Sequence, residues 1–409
     1  MYDFANSGYT TVVITAVFNA YFVSVVAGKA PWATFAWTLA LSLSYIAIVV
    51  TAPVIGAYAD AHAAKKKLLL GTTIGCVLCT AGLAMAGRGD VALAVAFIVL
   101  SNFFFGSGEN LIAAFLPELA HEDALGKVSG WGWSLGYVGG LLSLGACLAY
   151  VTHAQGAGAS AESFVPVTML ITAAIFAVAS LPTFLFLRER AQPAVTQDER
   201  TAFGRLRDTL SHARRYRDLA RFLVCVVFYQ AGIQAVVALA AIYAEQAMGF
   251  TTRDTIFLIL VVNVTAAAGA YLFGHVQDKL GHVRTIVFTL IGWIVVVALA
   301  WVGESRALFW VTANLVGICL GSSQSAGRAI VGYLSPPERA GEFFGLWGLA
   351  VKLSSILGPI TYGAVTWISG GDHRLAILIT GLYFVVGLAL VATIDVRRGR
   401  EAALAATRG

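Results

Sequence analysis

The sequence predicts an all-α integral membrane protein in which twelve transmembrane helices form two pseudo-symmetric six-helix bundles. Three observations predict this fold class: the composition, the spacing of the apolar runs and an internal repeat. Of the 409 residues, 58% are hydrophobic and only 12% are charged, whereas about a quarter of the residues in an ordinary soluble domain are charged. The mean hydropathy of +0.79 agrees with a chain that lies mostly in lipid.

Twelve apolar segments alternate with polar breaks, and several reach the roughly 20 residues that a bilayer core requires. Their continuous apolarity differs from the alternating pattern of barrel strands, so we predict helices. The polar start MYDFANSGYT has no basic signal region, so we expect the first segment to remain as a helix. The segments lie near residues 6–27, 34–58, 68–86, 91–115, 129–150, 164–187, 222–244, 255–274, 285–302, 308–333, 343–368 and 375–394.

The basic residues predict the orientation. An even number of helices puts both termini on one side, and that side holds 20 of the 27 Lys and Arg residues, against five in the opposite loops and two within segments. The positive-inside rule then predicts cytoplasmic termini. The domains are an N-terminal bundle at 1–187, a cytoplasmic basic linker at 188–221, and a C-terminal bundle with a short tail at 222–409.

Apolar residues recur at helical spacing among the arginines of the linker, at Phe203, Leu206, Leu210 and Ala213. This pattern is typical of a basic helix on a membrane surface, where anionic lipid would be a partner. The alternative is a plain tether between the bundles. So short a basic patch does not favour a nucleic-acid partner.

Short motifs recur in the second half at a nearly constant offset. Gly56 and Asp60 follow the second segment, and Gly274 and Asp278 follow the eighth, 218 residues later. Two more pairs, GSGEN with GSSQS and GKVSGW with GEFFGL, are each 215 residues apart. We infer that the second half is a parallel copy of the first.

The repeated glycine and aspartate predict a conformational latch. Glycine lets two helix ends approach closely, and the carboxylate can face the positive N-terminus of a neighbouring helix or a basic side chain. The alternative is that these loop charges only fix the topology, an interpretation that suits the basic run 65–67 better.

Ionisable residues inside the apolar segments are the main candidates for a binding site. They are Glu109 in the fourth segment, Arg328 in the tenth and Lys352 in the eleventh, and Asp3 stands at the mouth of the first. A charge at membrane depth costs on the order of 2.5 to 3.5 kcal/mol, so it usually faces a cavity or a partner. The alternative role is a purely structural ion pair.

The chain resembles the major facilitator superfamily, whose two six-helix bundles rock about a site near the membrane midplane. The loop motif of that superfamily, G-x-x-x-D-R/K-x-G, is matched by Gly274, Asp278, Lys279, Gly281 and Arg284. In the first copy, Ala61 and Ala63 replace the basic residue and the second glycine.

Three longer stretches, YDFANSGY, AFLPELA and SPPERAGEFFGLWGLAVKLSSILGP, are similar to the vacuole-effluxer-like branch, which is related to autophagy vacuolar amino-acid effluxers. The first stretch contains Tyr2, Asp3, Asn6 and Ser7. The resemblance implies export of a small polar solute, with amino acids as the best-supported class. It also implies a location in a bacterial inner membrane.

In this superfamily the first, fourth, seventh and tenth helices line the central cavity. We therefore expect Glu109 to meet Gln324 and Arg328 across it and to pair with Arg328. Lys352 would meet a substrate carboxylate, pair with an acid such as Glu109, or stay neutral. Further polar candidates are Asn19, Asn110, Gln230 and Gln234.

Other chemistry is not favoured. GWSLG at 132–136 matches a hydrolase motif but lies inside an apolar helix, so we assign it to helix packing. Cys76 and Cys79 share a helix face and are interpreted as packing rather than as a metal or redox site. The sequence has no phosphate loop and no metal cluster, so we expect neither an enzyme nor a cofactor.

The predicted function is secondary transport of a small polar solute by alternating access. Proton coupling through Glu109 and plain uniport are both open. One rival is efflux of amphiphilic drugs or lysolipids, which would favour a wider, more aromatic cavity with fewer fixed charges. The other is a non-transporting membrane receptor or scaffold, which would be expected to carry an added soluble domain.

Overall fold

The computed structural model of the protein describes residues 1–190, 216–246, 252–303 and 305–408. Within these ranges every regular element is a helix. In this part of the chain, twelve helices are long and apolar enough to cross a membrane. The predicted fold class is therefore confirmed.

The helices follow the predicted order, and several extend beyond the apolar runs. The N-terminal half contains α1 (Tyr2–Val26), α2 (Ala33–Ala61), α3 (Lys65–Gly82), α4 (Val91–Ala113), α5 (Leu125–Gly156) and α6 (Ala161–Phe186). The C-terminal half contains α7 (Arg217–Gln246), α8 (Thr252–Leu280), α9 (His282–Val302), α10 (Arg306–Leu334), α11 (Ala340–Ile368) and α12 (His373–Val391). A tail helix, α13 (Val396–Arg408), follows.

The predicted linker is described only at its two ends. α7 begins at Arg217, so it includes the last five residues of the predicted linker, 217–221. The four apolar residues of the proposed surface helix, Phe203, Leu206, Leu210 and Ala213, lie outside the described residues. The surface-helix interpretation therefore stays a prediction.

α1 is an irregular helix. Residues Thr10–Ala16 and Phe22–Val26 form π-helical turns within it. A π turn takes more residues than an α turn, so it rotates every later side chain about the helix axis. Regular helical spacing therefore cannot be used to assign the faces of the second half of α1.

The two halves pack backbone to backbone at the end of the molecule where α1 begins and α13 lies, which we call the tail end. A Cβ atom on Gly345 of α11 would come within 2.6 Å of the Ala52 carbonyl oxygen in α2. A Cβ atom on Gly274 of α8 would lie 2.7 Å from the Gly126 carbonyl oxygen in α5. Small residues at these positions permit the close approach.

A small apolar cluster completes the closure. It joins Leu116 and Leu125 of the first half to Ala329 of the second, and each of the three is 5% exposed or less. The next residues of α10, Ile330 and Val331, are also fully buried. The tail end is therefore closed, and we call this cluster the plug.

Candidate functional site

A cavity of about 470 Å³ lies between the two halves on the other side of the plug. Along α10 its lining runs from Arg328 to Phe309, which is roughly 28 Å at 1.5 Å per residue. Along α11 the lining runs from Trp347 to Tyr362. The cavity thus extends from a floor near the tail end towards the far end of the molecule.

More helices line the cavity than the resemblance implies. α1, α4, α7 and α10 contribute as expected, and α5 and α11 add Trp133, Tyr137, Trp347 and Lys352. The charged side chains of the lining are Asp3, Glu109, Arg328 and Lys352. The two acids belong to the N-terminal half and the two bases to the C-terminal half.

Arg328 binds the N-terminal half through its whole guanidinium group. Nη1 donates to both carboxylate oxygens of Asp3 at 3.0 Å. Nε donates to Ser129 Oγ at 3.0 Å, and Nη2 donates to the Ser129 carbonyl oxygen at 2.8 Å. The Arg328 side chain is only 8% exposed. We call this buried, well-satisfied group the Arg328 tie.

Two residues of α5 shape the space around the tie. A Cβ atom added at Gly132 would overlap Asp3 Oδ2 and Arg328 Nη2, so the glycine makes room for the ion pair. The Trp133 ring lies 5.5 Å from the guanidinium carbon, which is within cation–π distance. GWSLG thus lies within a packed helix, as predicted.

The second ion pair is looser. Lys352 Nζ lies 3.4 Å from Glu109 Oε2, and the Glu109 side chain is 27% exposed. The ammonium group also lies 5.4 Å from the Tyr45 ring centre and 5.8 Å from that of Phe105. These rings stabilise the charged form of Lys352 without competing for Glu109.

The predicted pairing of Arg328 with Glu109 is wrong. Asp3 is the partner of Arg328, and Lys352 is the partner of Glu109. The reason is the helix against which each base packs. Arg328 lies six residues, roughly 9 Å, from the tail end of α10, and it meets Asp3 beside Gly132 of α5. Lys352 packs on α4, where a Cβ atom on Gly106 would lie 3.6 Å from its Cε atom, and Glu109 follows Gly106 by one helical turn.

The three glutamine candidates lie in or directly behind the cavity wall. Gln324 and Gln234 line the cavity. Gln230 is buried behind Gln324 and donates to its Oε1 atom at 2.7 Å. It therefore positions Gln324.

Asn19 and Asn110 were expected to face the cavity, but neither does. Among the described lining residues, α1 contributes positions between Asp3 and Thr15 only, because the π-helical turn at Thr10–Ala16 rotates Asn19 away. Asn110 follows Glu109 by one residue, about 100° around the helix, and lies in a separate small void between α2, α4 and α11.

The two repeated aspartates make equivalent contacts at the tail end. Asp60 accepts hydrogen bonds from the backbone N–H groups of Gly341 and Glu342, at 3.0 and 2.8 Å, in the first turn of α11. Asp278 accepts from Gly126 and Lys127, at 2.8 and 2.9 Å, in the first turn of α5. Each carboxylate thus caps a helix N-terminus of the opposite half, a favourable arrangement.

The other motif residues do not make the latch contact. Lys279 and Arg284 are exposed. Gly281 has φ +90° in the turn between α8 and α9, a conformation that favours glycine. Its counterpart in the first half, Ala63, has φ +45°. The motif therefore combines a contact to the opposite half (Gly and Asp) with a tight turn.

The family-motif residues at the start of α1 also have distinct positions. Asp3, Asn6 and Ser7 line the cavity. Tyr2 is buried, and its hydroxyl group lies 2.7 Å from Thr73 Oγ1 in α3. Tyr2 thus fixes the beginning of α1 against α3.

Several residues of the site were not predicted from the sequence. Ser129, Trp133 and Tyr45 are ordinary residues of apolar helices. The glycines around Trp133 are the available signal, since a small-residue stripe predicts a close helix contact. Nothing in the sequence identifies α1 as the helix that makes it.

Comparisons with known proteins agree with this architecture. The sequence model of the family described as "Vacuole effluxer Atg22 like" matches residues 19–404. The uncharacterized MFS-type transporter YxiO of Bacillus subtilis is 27% identical over 403 residues, 96% of this chain and 92% of that protein. Autophagy-related protein 22-1 of Neosartorya fischeri is 24% identical over 332 residues, 73% of this chain but only 54% of that protein.

The fold is also found among solved structures. The human organic anion transporter MFSD10 superposes with a TM-score of 0.72 and 15% sequence identity, covering 95% of this chain and 97% of that one. A family match over nearly the whole chain, twelve membrane helices and a cavity between two halves agree with one another. The chain belongs to the vacuole effluxer Atg22-like family and is an MFS-type secondary transporter.

Proposed function

We propose that this transporter exports small zwitterionic solutes, with amino acids as the leading class, and that Glu109 and Lys352 bind them. One observation carries the proposal: an ion pair joins the two halves inside the cavity, and it is loose enough for a ligand to replace either partner. A zwitterion offers one charge of each sign. It can therefore replace both partners without leaving either charge uncompensated at membrane depth, where an unpaired charge is costly.

The two ion pairs differ in how easily they exchange. The guanidinium of Arg328 makes four hydrogen bonds to Asp3 and Ser129, so a ligand would have to replace all of them. Lys352 makes a single 3.4 Å contact with Glu109, whose side chain is partly exposed to the cavity. We therefore assign substrate exchange to the Lys352 pair and the gating of the cavity floor to the Arg328 tie.

A transport step follows from this assignment. The substrate carboxylate binds Lys352, its ammonium group binds Glu109, and Gln324 and Gln234 supply neutral hydrogen-bonding groups beside them. Opening of the tail end then requires the Arg328 tie and both latches to break. With cytoplasmic termini, the closed tail end makes this the conformation that releases substrate outside.

Glu109 is also the proposed coupling site. A proton on its carboxylate would release Lys352 in the same way as a substrate ammonium group. Coupled transport would then depend on the pH gradient, whereas uniport would not.

Efflux of amphiphiles is the second candidate, and the walls of the cavity favour it. Above the charged pairs the lining is largely apolar, with Ile233, Leu258, Val262 and Val316 among its residues. An amphiphile with a zwitterionic head could use the same charges. The four fixed charges in the cavity favour the smaller solutes.

The test is uptake into proteoliposomes of a labelled mixture of neutral L-amino acids, with and without a pH gradient. We expect uptake by the wild type and a loss of at least about tenfold in Glu109→Gln and in Lys352→Met. Lys67→Met is the matched control, since it removes an exposed lysine outside the cavity. Its uptake should equal that of the wild type.

Loss of folding is separated from loss of binding by the double variant. A single substitution leaves one charge without its partner, which can cost several kcal/mol in a buried site. Glu109→Gln with Lys352→Met removes both charges, so it should unfold near the wild-type temperature and still fail to transport.

Wild-type protein that carries a zwitterionic lysolipid but no amino acid would favour the second candidate.

A further inference from the structure

The tail helix α13 is anchored to the C-terminal half. Arg398 donates to both carboxylate oxygens of Asp218 in the first turn of α7, at 2.8 and 2.6 Å. The backbone N–H group of Asp395 donates to the same carboxylate at 3.0 Å. These contacts lie outside the cavity and take no part in the proposed transport step.

The next basic residue on α13 reaches the other half. Arg400 Nε and Nη2 donate to Glu122 Oε1 at 3.0 and 2.5 Å. Glu122 belongs to the short turn Glu122–Ala124 that leads into α5. Arg400 Nη1 donates to the Tyr333 carbonyl oxygen at the end of α10, at 3.0 Å. Arg400 is thus held by one half and binds a carboxylate of the other.

α13 is docked too firmly to follow the N-terminal half when the halves separate. Ala403 is fully buried, and a Cβ atom on Gly399 would lie 2.6 Å from Leu334 Cδ2. The Arg400 guanidinium carbon also lies 5.2 Å from the Tyr333 ring. Opening of the tail end therefore has to break the contact between Arg400 and Glu122.

We propose that α13 is a strap that selectively stabilises the conformation closed at the tail end. Its effect on the conformational equilibrium equals the free energy of a contact that is present in one state and absent in the other. The Glu122 side chain is 50% exposed, so water screens the pair. An exposed ion pair of this kind shifts an equilibrium by about two- to fivefold, so the strap tunes the equilibrium rather than locking it.

The test uses a reporter cysteine that is accessible only when the tail end opens. Ala114 is fully buried and belongs to the same apolar cluster as Ile330 and Phe343 of the other half. Ala114→Cys is made in a background without the five native cysteines, and the protein is purified into lipid nanodiscs. The rate of maleimide labelling then reports opening of the tail end, whatever the orientation or the solute.

We expect Arg400→Ala and Glu122→Gln each to raise the labelling rate about two- to fivefold. The double variant should label no faster than either single one, since both remove the same contact. Exchange of the charges, Glu122→Arg with Arg400→Glu, should restore slow labelling. Arg397→Ala removes an exposed arginine from the same helix and should leave the rate unchanged.

Two results would overturn the strap. One is an unchanged labelling rate in Arg400→Ala and Glu122→Gln when both unfold at the wild-type temperature. The other is an equal rise in Arg397→Ala, which would show a general effect of charge. Neither result bears on which solute is carried, because the assay contains none.

Discussion

Arg328 and Asp3 are 325 residues apart in the chain, yet one guanidinium nitrogen of Arg328 donates to both carboxylate oxygens of Asp3 at 3.0 Å. This contact joins the first and tenth membrane helices across the floor of the cavity. It can exist only while the tail end is closed.

The first prediction concerns this pair. Asp3→Asn and Arg328→Gln should each raise the labelling rate of the Ala114→Cys reporter by about tenfold, because each breaks charge-assisted hydrogen bonds between the halves. The double variant should show less than the product of the two effects, since both substitutions remove one interaction. Effects that multiply fully would show that the two side chains act independently.

The second prediction concerns Gly132. Gly132→Ala should speed reporter labelling and lower the unfolding temperature, because the added methyl group overlaps both members of the Arg328 tie. The matched control is Gly145→Ala on the same helix, where a Cβ atom meets nothing within 4 Å. The control should be stabilised by up to about 1 kcal/mol through its higher helix propensity. Similar behaviour of the two variants would argue against a steric role for Gly132.

The third prediction ranks the two latches. Each aspartate accepts one N–H hydrogen bond on each carboxylate oxygen, whereas asparagine has an NH₂ donor in place of one oxygen. Asp278→Asn and Asp60→Asn should therefore both open the tail end and slow transport. Asp60 should have the larger effect, because it is buried and also lies 3.6 Å from Lys65 Nζ. Asp278 is only half-buried. Unchanged transport in a well-folded Asp278→Asn protein would reduce that latch to a topology signal.

The fourth prediction concerns orientation. The distribution of basic residues predicts that reporters fused after Gly409 or inserted near Gln197 are cytoplasmic, and that one near Gly156 is external. Alkaline phosphatase and fluorescent-protein fusions at these positions measure this directly. A cytoplasmic signal at Gly156 would contradict the proposed direction of export.

The fifth prediction concerns Ala63. Its φ of +45° lies in the left-handed region, which costs an L-residue with a Cβ atom roughly 1 to 2 kcal/mol. Ala63→Gly should therefore raise the unfolding temperature, although glycine also loses more chain entropy on folding. Ala61→Gly, at the end of α2, should lower it. A lower unfolding temperature in both variants would show that the strain at Ala63 is negligible.

The sequence by itself determined the twelve helices, their order and the two equivalent aspartates, Asp60 and Asp278. Helices in lipid are specified by local apolar length, because the bilayer requires it of each segment separately. The internal repeat predicted that Asp60 and Asp278 are equivalent, because both halves contain the same local turn after their second helix. Information of this kind is contained in one segment or in the spacing of two similar ones.

Only the tertiary structure decided which charges meet. Asp3, Glu109, Arg328 and Lys352 were all visible as costly charges in or beside apolar helices. Their pairing depends on which helices of the two halves pack against each other, and no segment specifies that by itself. The π-helical turn at Thr10–Ala16 of α1 likewise rotated Asn19 away from the cavity. Arg400 and Glu122 looked like ordinary loop charges, because their contact exists only where the tail helix folds back across the closed end of the molecule.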